Sequence, residues 1–330
     1  MRRRAVGLLA SLLGAVVGAS DELETITLRG GLAMPANGLG TCCRPTSTGR
    51  PIVKATSAYL KLGGRLVDTA QAYRNHKEIG QVIGGSGVPR EDMWITSKVA
   101  SGRVTTFDQA VAAVDSILSE LDTPYLDLLL IHSPKMGEAK AIQVWKGLIE
   151  AKKAGKVKAL GVSNFNEAEI DALATATGEL PEVNQIQYHP WSSPEWHATV
   201  ARLAARGVVT TAYNSLGGAR YAHKLEGSAL ATLATSKGLS VPQLLLRWAL
   251  DKGCAVIPGS STPLHIEHNL ALPRVRLDAS DLAAIEAAAV PDGWWSRRGP
   301  NKYGDEEARE AWHDSAAGKR TKRHIHRGEH

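Results

Sequence analysis

The chain has 330 residues, of which 43% are hydrophobic and 22% charged, enough apolar material for one sizeable core and too much for a disordered chain. Its net charge of +6 comes from the two ends: Arg2, Arg3 and Arg4 supply three, the segment from Ser296 onward has nine Lys/Arg against six Asp/Glu, and residues 5–295 carry 27 of each sign. A neutral body argues against a nucleic-acid partner.

The first residues, MRRRAVGLLASLLGAVVGAS, combine a positive start, an apolar run from Ala5 to about Val17 and small residues before Ser20. This reads as a signal peptide over 1–19, directing the chain to the secretory pathway or an organelle lumen. The run is shorter than the roughly 20 residues that span a bilayer, so no stable membrane insertion is expected. Residues 23–34, LETITLRGGLAM, read as a β-hairpin turning at Arg29-Gly30-Gly31.

Short apolar strands follow at Gly38–Cys42, Leu66–Asp68, Trp94–Lys98, Leu126–Ile131, Lys158–Ser163, Glu182–Gln187, Val208–Ala212 and Ala255–Ile257. Several are apolar throughout, as strands buried on both faces of a parallel sheet should be. Helical periodicity fills the gaps: Val111, Val114, Leu118 and Leu121 form one stripe, Ile142, Trp145, Leu148 and Ile149 another. Ala229 with Leu233, and then the Leu244–Trp248 run, mark two more helices. Eight strands alternating with helices predict a (β/α)8 barrel over residues 20–295. No G-x-G-x-x-G follows the first strand, which disfavours a doubly wound dinucleotide fold. Residues 296–330 are expected to be a basic, disordered tail, and a monomer is expected. The cysteines (Cys42, Cys43 and Cys254) are too few for a disulfide framework and lack metal-ligand spacing. They are expected to be ordinary small residues, with no metal site.

In such a barrel the chemistry lies at the C-terminal ends of the strands. Asp68, Lys98 and His132 fall at three of these ends, and Tyr73 lies in the loop after Asp68. A phenol with a pKa near 10 is a poor acid at neutral pH, and a neighbouring ammonium improves it. Lys98 is placed to do this for Tyr73, with Asp68 holding Lys98 and His132 orienting a carbonyl oxygen. This is the acid half of a carbonyl reduction, and it needs a hydride donor from elsewhere.

Three ordered stretches carry a resemblance: GGRLVDTAQAYRNHKEIG (63–80), GKVKALGVSNFN (155–166) and VIPGSSTPLHIEHN (256–269). With the four strand-end residues, the chain resembles the aldo-keto reductase family from about Leu23 to Asn269. The resemblance implies a barrel that reduces aldehydes, ketones or sugars with NADPH or, less often, NADH. It matches Asp68, Tyr73, Lys98 and His132 to the catalytic tetrad. Ser163, Asn164 and Gln185 match the residues that hold the nicotinamide carboxamide, and Tyr213 the ring that stacks on it. Ser215, Leu216 and Gly217 match the pyrophosphate segment, where Asn214-Ser215 replaces the usual Ser-Pro. Ser260, Ser261, Thr262, His265 and Asn269 match the adenosine end. There a lysine is common where Gly259 stands and an arginine where His265 stands, so a weakened preference for the 2′-phosphate is expected. At the substrate pocket, Cys42 and Ser133 stand where the family often has tryptophans, which predicts a wider or more polar cavity beside His132. Trp294 and Trp295 match the C-terminal loop that covers the barrel mouth. The resemblance also allows a different class, a nicotinamide-binding regulatory subunit with little turnover.

Overall fold

A computed structural model describes residues 23–42, 47–217, 225 and 228–288. The expected signal peptide, the basic tail and Trp294 with Trp295 lie outside the described residues. The chain opens with an antiparallel hairpin, β1 (Thr25–Thr27) and β2 (Ala33–Pro35), in register Thr25↔Pro35 to Thr27↔Ala33. Gly31 turns it at φ +87°, a conformation that favours a residue without Cβ.

Eight parallel strands then form one sheet in sequence order: β3 (Leu39–Gly40), β4 (Leu66–Asp68), β5 (Trp94–Val99), β6 (Leu126–Ile131), β7 (Val157–Ser163), β8 (Val183–Gln187), β9 (Val209–Tyr213) and β10 (Ala255–Val256). The sheet closes on itself. Val256 N–H donates to Ala36 O and Gly38 N–H to Val256 O, both at 2.8 Å, around an Asn37↔Val256 bridge. At this seam a Cβ on Gly40 would lie 2.4 Å from Ile257 O, so glycine is required for the two strands to meet. The helices between strands are α1 (Gly49–Lys61), α2 (His76–Gly84), α3 (Phe107–Leu121), α4 (Glu138–Lys153), α5 (Glu167–Thr177), α6 (Pro194–Ala205), α7 (Ala229–Ser236) and α8 (Val241–Asp251), with α9 (Pro263–Leu270) and α10 (Ala279–Ala287) following the last strand.

Alternation along each strand divides the core into two layers. In β6, Leu128 and Leu130 face the barrel interior, while Leu129 and Ile131 pack outward against helices. Leu28 and Met34 of the hairpin join Leu66, Trp94, Leu128 and Leu130 and close the barrel floor. Burying one such side chain contributes roughly 1.5–3 kcal/mol. Gly30 N–H donates to Glu182 Oε2 at 2.8 Å and so clamps the hairpin tip to the start of β8. With the floor sealed, the open end is the C-terminal one.

The buried face of α3 differs from the expected stripe. Ala110, Ala113, Val114, Ile117 and Leu121 are buried, whereas Val111 and Leu118 are partly exposed. The reason lies in the approach of α4: a Cβ on Gly147 would lie 2.7 Å from Ala110 Cβ. Small residues mark the contact, and a search for large apolar ones overlooks it. Among the described residues no helix is long and apolar enough to cross a membrane.

Candidate active site

Polar residues interrupt the apolar strands at the open end of the barrel. Asp68 ends β4, and Tyr73 closes a short 3-10 turn, Gln71–Tyr73, after it. Lys98 lies near the end of β5, and His132 follows β6, its N–H donating to Val99 O at 3.3 Å. The fold brings these four together. Lys98 Nζ donates to Asp68 Oδ1 at 2.6 Å and to Thr69 O at 3.0 Å, and lies 4.9 Å from the centre of the Tyr73 ring. The Tyr73 and His132 rings meet edge to face, with centroids 5.5 Å apart.

The electrostatics follow from burial. Lys98 has no exposed surface, and desolvation pulls its pKa below the ordinary lysine value against the opposing pull of Asp68. Burial, followed by repulsion from Lys98 and Lys135, pushes His132 down to about 3. His132 is therefore a neutral imidazole at physiological pH, with one N–H to donate.

Behind this group sits a contact that the sequence reading missed. Ser97, whose side chain points away from the barrel axis, meets His76 Nε2 at 3.0 Å, and His76 Nδ1 meets Glu120 Oε2 at 2.8 Å. A carboxylate accepts only, so Nδ1 carries the proton and Nε2 accepts from the serine. The chain pins β5, next to Lys98, against α2 and α3. A further such link is Gln185, whose Nε2 donates to Asp68 Oδ2 at 2.7 Å.

Across the mouth lie the residues matched to a nucleotide. Asn164 takes a left-handed φ of +64° after β7, and the Asn166–Glu169 capping box then starts α5. Its Nδ2 donates to Ser163 Oγ at 2.9 Å and to His132 O at 3.1 Å, and its Oδ1 accepts from the Tyr213 hydroxyl at 2.8 Å. Ser163 Oγ donates to the main-chain carbonyl of Gln185 at 2.8 Å, so the side chains of Ser163, Asn164 and Tyr213 form one network tied to the backbone at His132 and Gln185. Asn214 turns the chain at φ +55° into Ser215, Leu216 and Gly217. Ser215 Oγ is buried and has no hydrogen-bond partner among the described residues.

Thr262 caps α9 without a side-chain hydrogen bond, its own N–H donating to Ser260 Oγ at 3.0 Å. Ser261 is half-buried and His265 is exposed; Asn269 is half-buried, its carbonyl accepting from Asn37 Nδ2 at 2.6 Å. Ser133 is buried beside His132, its N–H donating to Ser101 Oγ at 2.8 Å. Cys42 corrects an expectation: it is disulfide-bonded rather than an ordinary thiol, whereas Cys254 is free and buried. A count of three cysteines disfavours a disulfide framework but does not exclude a single bond. No cluster of three potential metal ligands occurs among the described residues.

Comparison with known proteins agrees with this geometry. The model of the Aldo/keto reductase family matches residues 50–290. A morphine 6-dehydrogenase of Pseudomonas putida is 32% identical over 271 residues, 79% of this chain and 90% of the relative. A methylglyoxal reductase of Escherichia coli is 32% identical over 263 residues, 79% of this chain and 95% of the relative. Among solved structures, a Bombyx mori aldo-keto reductase in complex with NADP superimposes with a TM-score of 0.73 at 27% identity, covering 86% of this chain and 99% of that one. With its barrel, its strand-end constellation and these relatives, the chain belongs to the aldo/keto reductase family.

Proposed function

We infer that this protein is an NADPH-using oxidoreductase that reduces an aldehyde, ketone or sugar carbonyl to the alcohol, with Tyr73 as the proton donor. One observation carries the reading: a buried ammonium, Lys98, is held 2.6 Å from Asp68 and 4.9 Å from the Tyr73 ring at the open end of the barrel. The residues present fit a dinucleotide. Ser215 Oγ is an orphaned donor suited to a phosphate oxygen, α9 offers helix N–H groups that no side chain caps, and Gln185 Oε1 remains available to a carboxamide.

When bound, the nicotinamide supplies a hydride to the carbonyl carbon. The chain's own work is at the oxygen. The neutral His132 donates its N–H and orients the carbonyl. The Tyr73 O–H bond breaks as its proton moves to the oxygen that has gained negative charge. The resulting phenolate is stabilised by Lys98, whose charge Asp68 holds in place. General acid catalysis of this kind contributes about 10²–10⁴-fold.

The bound NADP of the Bombyx mori relative and the reductase and dehydrogenase names of the curated relatives support the reading. The test is turnover of a panel of aldehydes and ketones, followed by loss of the reduced-nicotinamide absorbance. Tight NADPH binding with no turnover of any member would instead favour the regulatory class.

A further inference from the structure

The charges of this barrel are unevenly divided between its two ends. Among the described residues, the segments that leave the C-terminal ends of β3–β10 contain three cations, Arg74, Arg103 and Lys135, and no carboxylate. The segments that enter strands β4–β10 from the preceding helices contain Arg65, Arg90, Lys156, Arg206 and Lys252 against Glu91, Asp92, Asp122, Glu179 and Glu182, five of each sign. Composition alone does not require this division, since residues 5–295 are neutral as a whole.

These three cations sit on adjacent loops that also carry the candidate acid and its partners. Arg74 follows Tyr73, Arg103 follows β5 and Lys98, and Lys135 lies three residues after His132; all three are exposed. The loops are stitched together. Gln71 Oε1 accepts from Ala100 N–H at 3.0 Å, and Ser101 Oγ accepts from Ser133 N–H at 2.8 Å. Arg74 is held at φ +56° and Arg103 N–H donates to Ala100 O at 3.0 Å. Neither arginine forms an ion pair among the described residues.

The nearby carboxylates Glu78, Asp108 and Glu138 belong to the first turns of α2, α3 and α4, in the outer ring of the barrel. The dinucleotide phosphates do not account for these cations. The residues matched to the phosphates follow β9 and β10, whereas the three cationic loops follow the contiguous strands β4, β5 and β6.

We propose that Arg74, Arg103 and Lys135 form a cationic rim that selects carbonyl substrates bearing an anionic group, a carboxylate or a phosphate, away from the reacting carbon. The proposal rests on the carbonyl-reductase reading and deepens it. Paired substrates test it: 4-carboxybenzaldehyde against its methyl ester, whose ring electronics are similar, and glyceraldehyde 3-phosphate against glyceraldehyde. The expected kcat/KM ratio favours the anion by about tenfold in at least one pair, the scale of one charge-assisted hydrogen bond. The pair that shows it identifies carboxylate or phosphate as the group recognised.

The ratio should shrink several-fold with added salt, as the screening length falls from ~30 Å at 0.01 M to ~3 Å at 1 M. Arg103→Gln combined with Lys135→Gln should move it toward one. A ratio at or below one in both pairs, or a preference that neither salt nor the double substitution moves, would overturn the proposal while leaving carbonyl reduction intact. Turnover of none of the four substrates would overturn both readings.

Discussion

Gln185 donates its amide N–H to Asp68 Oδ2 at 2.7 Å, joining the middle of β8 to the end of β4 across the barrel interior. Both residues are buried, and the other oxygen of Asp68 receives Lys98. One carboxylate is thus shared between the proton-donating side of the site and the side matched to the nicotinamide. Rotation of Gln185 toward a ligand has to preserve this bond or leave a buried carboxylate oxygen without its donor.

The first prediction concerns that bond. Gln185→Met keeps the length of the side chain and removes the donor. It should lower the unfolding free energy by about 1–3 kcal/mol, the cost of an unsatisfied buried acceptor, measured as the shift of a urea midpoint. It should also weaken NADPH binding in a fluorescence titration. A midpoint identical to that of the unmodified protein would mean that the contact contributes nothing to the fold.

The second prediction isolates the acid. Tyr73→Phe removes one oxygen and keeps the ring that packs against His132. Turnover should fall by about 10²–10⁴-fold, while the NADPH dissociation constant stays within about twofold. Near-normal turnover by the variant would assign the proton donor elsewhere.

The ease of reading the four strand-end residues and the difficulty of reading their supports have one physical origin. An aspartate, a lysine and a histidine each ending an apolar strand stand out, because a strand buried on both faces has no cheap place for charge. The strand pattern itself was legible for the same reason, with Leu66–Asp68 and Leu126–Ile131 observed at the expected bounds. The bond from Gln185 to Asp68 spans 117 residues, and nothing local to either residue announces it. The His76–Glu120 contact joins two helices that pack side by side, and neither residue stands out in its own helix. The buried face of α3 is hard to read because Ala110 and Ala113 look neutral until Gly147 brings α4 against them.

A third prediction concerns acid stability. Burial, with smaller repulsion from His197, pushes His189 down to about 3, and His132 is likewise depressed to about 3. An unfolded histidine titrates near ~6.5, so between that pH and about 3 the unfolded chain binds more protons than the folded one. The stability these neutral rings provide is complete above ~6.5 and is lost as pH falls, at a limiting slope of about 1.4 kcal/mol per pH unit for His189. Urea midpoints should therefore decline already between pH 6.5 and 5, before most carboxylates titrate. A midpoint that stays level over this interval would contradict buried neutral histidines.

The last prediction concerns the turn before α9. Residues 257–262, Ile-Pro-Gly-Ser-Ser-Thr, present hydroxyls and backbone N–H groups but no cation, and the nearest basic side chain on α9 is the exposed His265. A phosphate held by neutral donors lacks the charge-assisted hydrogen bond that a lysine or arginine would add, worth roughly 1.5–3 kcal/mol, or about ten- to a hundredfold in affinity. Paired fluorescence titrations should accordingly find NADPH favoured over NADH by no more than about tenfold. Gly259→Lys supplies the missing charge and should widen the gap toward about a hundredfold, acting on NADPH and leaving NADH nearly unmoved. A large NADPH preference in the unmodified protein would mean that a cation outside this turn reaches the 2′-phosphate.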